Sequence, residues 1–128
     1  MKVLLSIKPE YAEKIFDGSK RFEFRRRIYK NDQIKSVIVY ASAPISKVIG
    51  EFDIETVHFD DLQSLWNSTM EYAGISKEFY LEYFSGKESG YAIEVKDVRK
   101  YGEPLGIRES FGIGPPQSFA YVDRVGQY

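Results

Sequence analysis

Gly18-Ser19-Lys20-Arg21-Phe22-Glu23-Phe24-Arg25-Arg26-Arg27 holds the densest chemistry in this chain and sets its fold. Phe22 and Phe24 alternate with Arg21, Glu23, Arg25 and Arg27, the two-residue period of a strand that buries one face and presents charge on the other. Residues two apart on one strand face sit roughly 6 to 7 Å from each other, so Glu23 can lie beside Arg25 and still leave guanidinium donors for an anion. Such a site suits a phosphate or a base edge.

Upstream, Lys2 to Ile7 is a short apolar run fit for a first strand, and Pro9 stands at the first position of a helix. Tyr11 with Ile15 and Ala12 with Phe16 form its buried stripe, while Glu10, Glu13, Lys14 and Asp17 face water. Gly18 ends it, so Lys20 follows a helix carboxyl end, where the dipole favours a cation. Downstream, Lys30-Asn31-Asp32 is a turn signal, and the unbroken apolar run Val37 to Ala41 predicts a central strand covered on both faces. From Lys47 to Val57, Val48, Phe52 and Ile54 alternate with Glu51, Asp53 and Glu55, an acidic row expected to face solvent. Gly50 within it marks a bulge or a close backbone approach.

Asp60 and Gln63 have capping-box spacing ahead of Leu62, Leu65, Trp66, Thr69, Met70 and Ala73, one face of a helix stopped by Gly74. Ser76 caps a second helix carrying Phe79 with Tyr83 and Tyr80 with Phe84, and Gly86 ends it. At helical spacing these aromatics, Trp66 included, belong in the core rather than on a base-stacking platform. Tyr91, Ile93 and Val95 then alternate in a half-buried strand. Gly102 to Pro116, rich in glycine and proline, is expected to be a long loop, followed by a closing strand over Gln117 to Val122 and a frayed end. The order strand, helix, three strands, two helices, strand, loop, strand predicts an α+β fold: a small mixed, mostly antiparallel β-barrel with helices packed on one side.

The 128 residues fit one domain, residues 1–128. With no cysteine, thiolate catalysis, disulfides and cysteine-bound zinc are excluded. His58 is the only histidine and has no nucleophile signature around it; it is expected to be a half-exposed residue near a strand end, and neither a metal nor a cofactor is expected. Val3 to Leu5 is too short an apolar run for a signal peptide or a membrane span, so a cytoplasmic chain with no membrane partner is expected. A net charge of −1 hides an asymmetry, because residues 1–50 carry 11 Lys and Arg against 5 Asp and Glu. A basic part joined to an acidic part suggests one face that meets an anion.

Gly18, Lys20, Glu23 and Arg25 fit the Gly-x-Lys-x-x-Glu-x-Arg signature of the ASCH domain, the activating-signal-cointegrator homology family of the PUA-like superfamily. Leu5 to Ala12 before the motif, Tyr40-Ala41-Ser42 and Val48 to Phe52 after it, and the terminal Pro115 to Phe119 also resemble stand-alone prokaryotic members. The resemblance implies a PUA-like barrel with a cleft beside the signature strand for RNA or a nucleotide-like ligand, in transcription- or RNA-linked regulation. Lys20 and Arg25 would supply charge and Glu23 would orient them or accept from an exocyclic amine. Lys8, Ser42 and Gln117 would add polar contacts, and Arg26 and Arg27 would extend the electrostatic footprint.

Some small relatives are amidohydrolases on an acylated cytidine that use a lysine, a threonine and a glutamate. Lys20 matches the lysine, but Glu23 stands at the threonine position and only Glu71 offers a loose counterpart of the glutamate. Other relatives are ribonucleases. Three readings follow: an RNA-binding module, a small hydrolase using Lys20 and Glu23, and a regulatory protein that binds an anionic metabolite. A buried Glu23 paired to both cations would favour a structural role, and an open cleft lined by all three would favour a ligand site.

Overall fold

The computed structural model describes residues 1–123, and the frayed end expected from the sequence lies outside them. The chain begins with strand β1 (Lys2–Ile7), helix α1 (Pro9–Asp17) and strand β2 (Phe22–Arg25). Strands β3 (Ser36–Ala41) and β4 (Lys47–Asp61) follow, then α2 (Leu62–Thr69), a 3-10 turn over Met70–Tyr72, and α3 (Lys77–Tyr83). Strand β5 (Ser89–Leu105), helix α4 (Ile107–Phe111) and strand β6 (Phe119–Val122) complete the described chain.

The α+β architecture expected from the sequence is present as one six-stranded sheet in the order β2-β5-β4-β3-β1-β6. Only β1 with β3 is parallel, and the other pairings are antiparallel. The sheet does not close: β2 and β6 are its two edges. Polar contacts nevertheless cross between its ends. Arg25 on β2 donates through Nη2 to the Ser6 carbonyl on β1 at 3.0 Å. Beyond β2, the Lys30 and Asn31 N–H groups donate to the Tyr121 hydroxyl on β6 at 2.9 and 3.0 Å.

Burial follows the apolar pattern closely. Val37 to Ala41 lies inside the sheet, each residue at most 4% exposed. One core cluster joins Leu5, Ile15, Val39, Phe52 and Ile93, and a second packs Leu65, Trp66, Tyr80 and Phe84 against Phe24 and Ala92. Trp66 is thus a core residue. Gly50 is a close approach, since a Cβ there would sit 2.6 Å from both the Arg99 carbonyl oxygen and the Phe16 ring.

Four local expectations are corrected. Glu51 does not face solvent: it is 1% exposed, because Arg99, Lys2 and Tyr101 hydrogen-bond its carboxylate at 2.9 to 3.2 Å. Burial opposes ionisation there, but those bonds outweigh it and hold the carboxyl below its ordinary range. Asp61, not Asp60, caps α2, accepting from the Ser64 N–H at 2.9 Å. The helix ends early, as α2 gives way to the 3-10 turn, and Met70 is 57% exposed although Ala73 stays in the core. The expected loop from Gly102 is largely ordered, because Tyr101, Leu105, Ile107, Phe111 and Ile113 bury against Leu4, Ile38, Val48 and Val122. That burial carries β5 to Leu105 and folds α4 despite the local glycines and proline. Among the described residues no helix is long and apolar enough to cross a membrane.

Candidate functional site: two joined cavities beside β2

Lys20 is placed by the turn that follows α1 and by the segment after α2. The Lys20 N–H donates to the Lys14 carbonyl, and the Arg21 N–H to the Tyr72 carbonyl, so the chain entering β2 is strapped to the 3-10 turn. The Lys20 ammonium donates to the Ala73 carbonyl at 2.7 Å and lies over the rings of Phe24 and Tyr11, at 5.0 and 5.6 Å from their centroids. Its stem needs a neighbour without a side chain. Gly74, at φ +69°, supplies one, since a Cβ there would meet the Lys20 Cβ and Cγ at 2.5 Å. Lys20 is only 2% exposed, and this desolvation pushes its pKa down to about 8, with Glu23 opposing and Lys14 and Arg25 assisting.

Glu23 and Arg25 share a face of β2, as the two-residue period requires. That face points into the molecule rather than into open solvent, and each residue is 9% exposed. Glu23 Oε2 meets Arg25 Nη2 at 3.2 Å, while the Lys20 ammonium is not paired with Glu23. Arg25 Nη2 is thus engaged by Glu23 and Ser6, yet its buried Nε has no hydrogen-bond partner among the described residues.

These three residues line a cavity of about 320 Å³ between β2, the start of α1 and α3. Tyr11, Phe24, Phe79 and Tyr83 form its aromatic walls, and Lys8 lies at its rim with the ammonium 5.3 Å from the Phe79 centroid. A second cavity of about 580 Å³ adjoins it and shares Arg25, Arg26 and Tyr83. Arg27, Lys87, Ser85, Gln117 and Ser118 complete this second lining, which contains four cations and no carboxylate. It lies where the carboxyl end of β2 faces the amino end of β6, so the gap in the sheet is itself the groove. The Arg26 guanidinium stacks on Tyr83 at 4.6 Å from the centroid and marks the border between the cavities.

Of the residues singled out in the sequence, Lys8, Lys20, Glu23, Arg25, Arg26, Arg27 and Gln117 thus surround the joined cavities. Ser42 lines neither; its N–H donates to the Ile7 carbonyl, and its own carbonyl accepts from Ile45 and Ser46 in the turn after β3. Glu71 is exposed on the 3-10 turn and lines neither cavity. His58 is half-exposed on β4 and meets Glu94 at 2.7 Å. Tyr11, Phe79 and Tyr83, read in the sequence as core residues, instead wall the first cavity, and Lys87 and Ser118, which line the second, carried no site signal. Helical spacing cannot separate an aromatic that lines a cavity from one that fills a core. Among the described residues no three His, Asp or Glu side chains are gathered as a metal site would need.

Comparisons with known proteins bear on the family and the fold. The chain is 32% identical over 127 residues to the ASCH domain-containing ribonuclease of Zymomonas mobilis, covering 94% of this chain and 84% of that protein. The crystal structure of ASCH from Zymomonas mobilis superposes with a TM-score of 0.88 at 30% identity, covering 96% of this chain and 88% of that one. Structures of a serine-to-alanine and a tyrosine-to-phenylalanine variant of that protein superpose equally well. The chain also matches, at 29% identity over 120 residues, the large ribosomal subunit protein uL22 of Ureaplasma parvum, and at 30% over 122 residues its ATP synthase subunit alpha. It spans 94% of its own length in both matches, but only 39% and 15% of those longer proteins. The sequence pattern of the ASCH domain matches residues 5–105, which run from within β1 to the end of β5 and include the whole signature strand, and the chain belongs to the ASCH domain family.

Proposed function

We propose that this protein binds single-stranded RNA across the joined cavities, with phosphate in the basic groove and an unstacked base in the aromatic pocket. The observation that carries this reading is the continuity of the two: a groove with four cations and no carboxylate opens, at Arg25, Arg26 and Tyr83, into a pocket walled by aromatic rings. Cations fix phosphates, and aromatic walls accept a base only when it is free of a duplex. Glu23 offers an acceptor and Lys20 a donor to the base edge. The resemblance to a protein named a ribonuclease supports the same substrate class.

A fluorescence-anisotropy titration of labelled single-stranded RNA, hairpin RNA and duplex DNA at two salt concentrations tests this. Saturable binding is expected for the single strand and weak binding for the duplex. Arg25→Ala is expected to weaken RNA binding about tenfold or more, the value of a lost charge-assisted bond, with its circular dichroism unchanged. Absence of binding to any of the three probes would sink the reading.

A second reading adds strand scission, and the Lys20 ammonium favours it. With a pKa near 8 and a position against the pocket, its neutral form is populated at mildly alkaline pH. In this reading the ribose 2′-hydroxyl attacks the adjacent phosphorus and the neutral Lys20 amine takes the hydroxyl proton. The bond to the 5′-oxygen of the next nucleotide breaks and that oxygen takes a proton from water, leaving a 2′,3′-cyclic phosphate and a 5′-hydroxyl end, while Lys20 returns its proton to solvent. Arg25 faces the charge that develops on the phosphoryl oxygens. An RNA with 2′-deoxyribose at every position must then resist cleavage, and the rate must climb toward pH 8.

A further inference from the structure

The charge in the groove exceeds what one internal phosphodiester calls for. Arg25 is partly balanced by Glu23, but Arg26, Arg27 and Lys87 have no carboxylate within ion-pair distance among the described residues. Arg25, Arg26 and Arg27 are consecutive, so their backbones lie within about 8 Å, and all three line the same cavity with Lys87. Arg25 is the fixed member. It is held by Ser6 and Glu23 through Nη2, is 9% exposed, and keeps a buried Nε with no partner. Arg26 is held too, stacked on Tyr83 and bonded to the Tyr83 carbonyl at 3.5 Å. Arg25 is thereby fixed by burial, and Arg26 is directed along the Tyr83 ring from an exposed position.

A phosphodiester carries one negative charge. A terminal phosphomonoester carries about −1.5 to −2 at neutral pH and three acceptor oxygens, which guanidinium groups meet in bidentate fashion. Resting on the RNA reading above, we infer that the groove recognises a terminal phosphomonoester, with the base of that same end nucleotide in the adjoining aromatic pocket. Because the two cavities share Arg25, Arg26 and Tyr83, one nucleotide reaches into both, with its base in the first and its phosphate in the second. The ligand is thus a phosphorylated RNA end, and the interior of a strand binds less tightly.

The test uses the full chain and three otherwise identical eight-nucleotide RNAs, 2′-fluoro substituted so that none is cut through a 2′-hydroxyl. One carries a 5′-phosphate, one a 3′-phosphate and one hydroxyl groups at both ends. One of the phosphorylated RNAs is expected to bind about tenfold tighter than the unphosphorylated one at pH 7.5. That preference should shrink toward about twofold at pH 5.5, as the monoester takes up its second proton near pH 6. The Arg27→Ala/Lys87→Ala variant should lose most of the preference. Equal binding of the three RNAs overturns this inference and leaves the RNA reading standing, whereas binding by none overturns both. A preference that persists unchanged at pH 5.5 also overturns it, because a dianion would not be what is recognised.

Discussion

Lys20 shows how a single buried charge ties stability to chemistry. Unfolded, its amine titrates near 10.5, and folded it titrates near 8. Between those values the unfolded chain holds the extra proton, so this residue's contribution to stability rises with pH, and its burial penalty is in full force below pH 8. Urea unfolding of wild type and Lys20→Met at pH 7 and pH 10 should show the gap moving by roughly 2 to 3 kcal/mol in favour of wild type. A gap that does not move would mean that the ammonium is not desolvated. Lys20, Glu23 and Arg25 were legible in the sequence because an alternating charged face beside a helix end is a local pattern. What was not legible is that this face turns inward. That depends on β2 pairing with β5, far along the chain, and on α3 closing the other side.

Among the elements, the turn from Ala73 to Ile75 matters more than its length suggests. Gly74 reads in the sequence as a helix stop, but in the fold it also makes room for the Lys20 stem. Gly74→Ala therefore strains the left-handed backbone and presses on Lys20, and should cost roughly 1 to 3 kcal/mol in a denaturant titration while shifting the pH at which the Lys20 amine is acylated. The Glu51 cluster is a second case, joining Lys2 on β1 to Arg99 and Tyr101 on β5 through a carboxylate on β4. Removing it by Glu51→Ala leaves cations unmatched around a buried site, with an expected loss of roughly 3 to 5 kcal/mol. Because the folded carboxyl lies below its ordinary 4.5, its contribution is present above that pH and lost as pH falls through the folded value. Glu51→Gln should accordingly flatten the acid limb of the stability curve. Alternation alone assigned Glu51 to the solvent side. Its real environment was set by Arg99, a partner that no local pattern reveals.

For the whole molecule, a net charge of −1 means that a polyanion would be attracted only where cations are concentrated. With three unbalanced cations in the groove, the logarithm of RNA affinity should fall against the logarithm of salt with a slope of about −2. A slope beyond about −5 would show that a wider surface takes part. The α+β class and the order of elements up to β5 followed from periodicity, whereas α4 and the open edge of the sheet did not, since closure depends on how far the strands coil in space. That open edge has its own dynamic consequence. Edge strands breathe, and no backbone ladder joins β2 to β6; the hydrogen bonds of Arg25 to Ser6 and of Lys30 and Asn31 to Tyr121 link the two ends of the sheet. An anion gripped by Arg25 to Arg27 on one side and by Gln117 and Ser118 on the other would fasten the two like a clasp. The backbone amides of both strands would then exchange with heavy water more slowly and in step, although they sit near opposite ends of the chain.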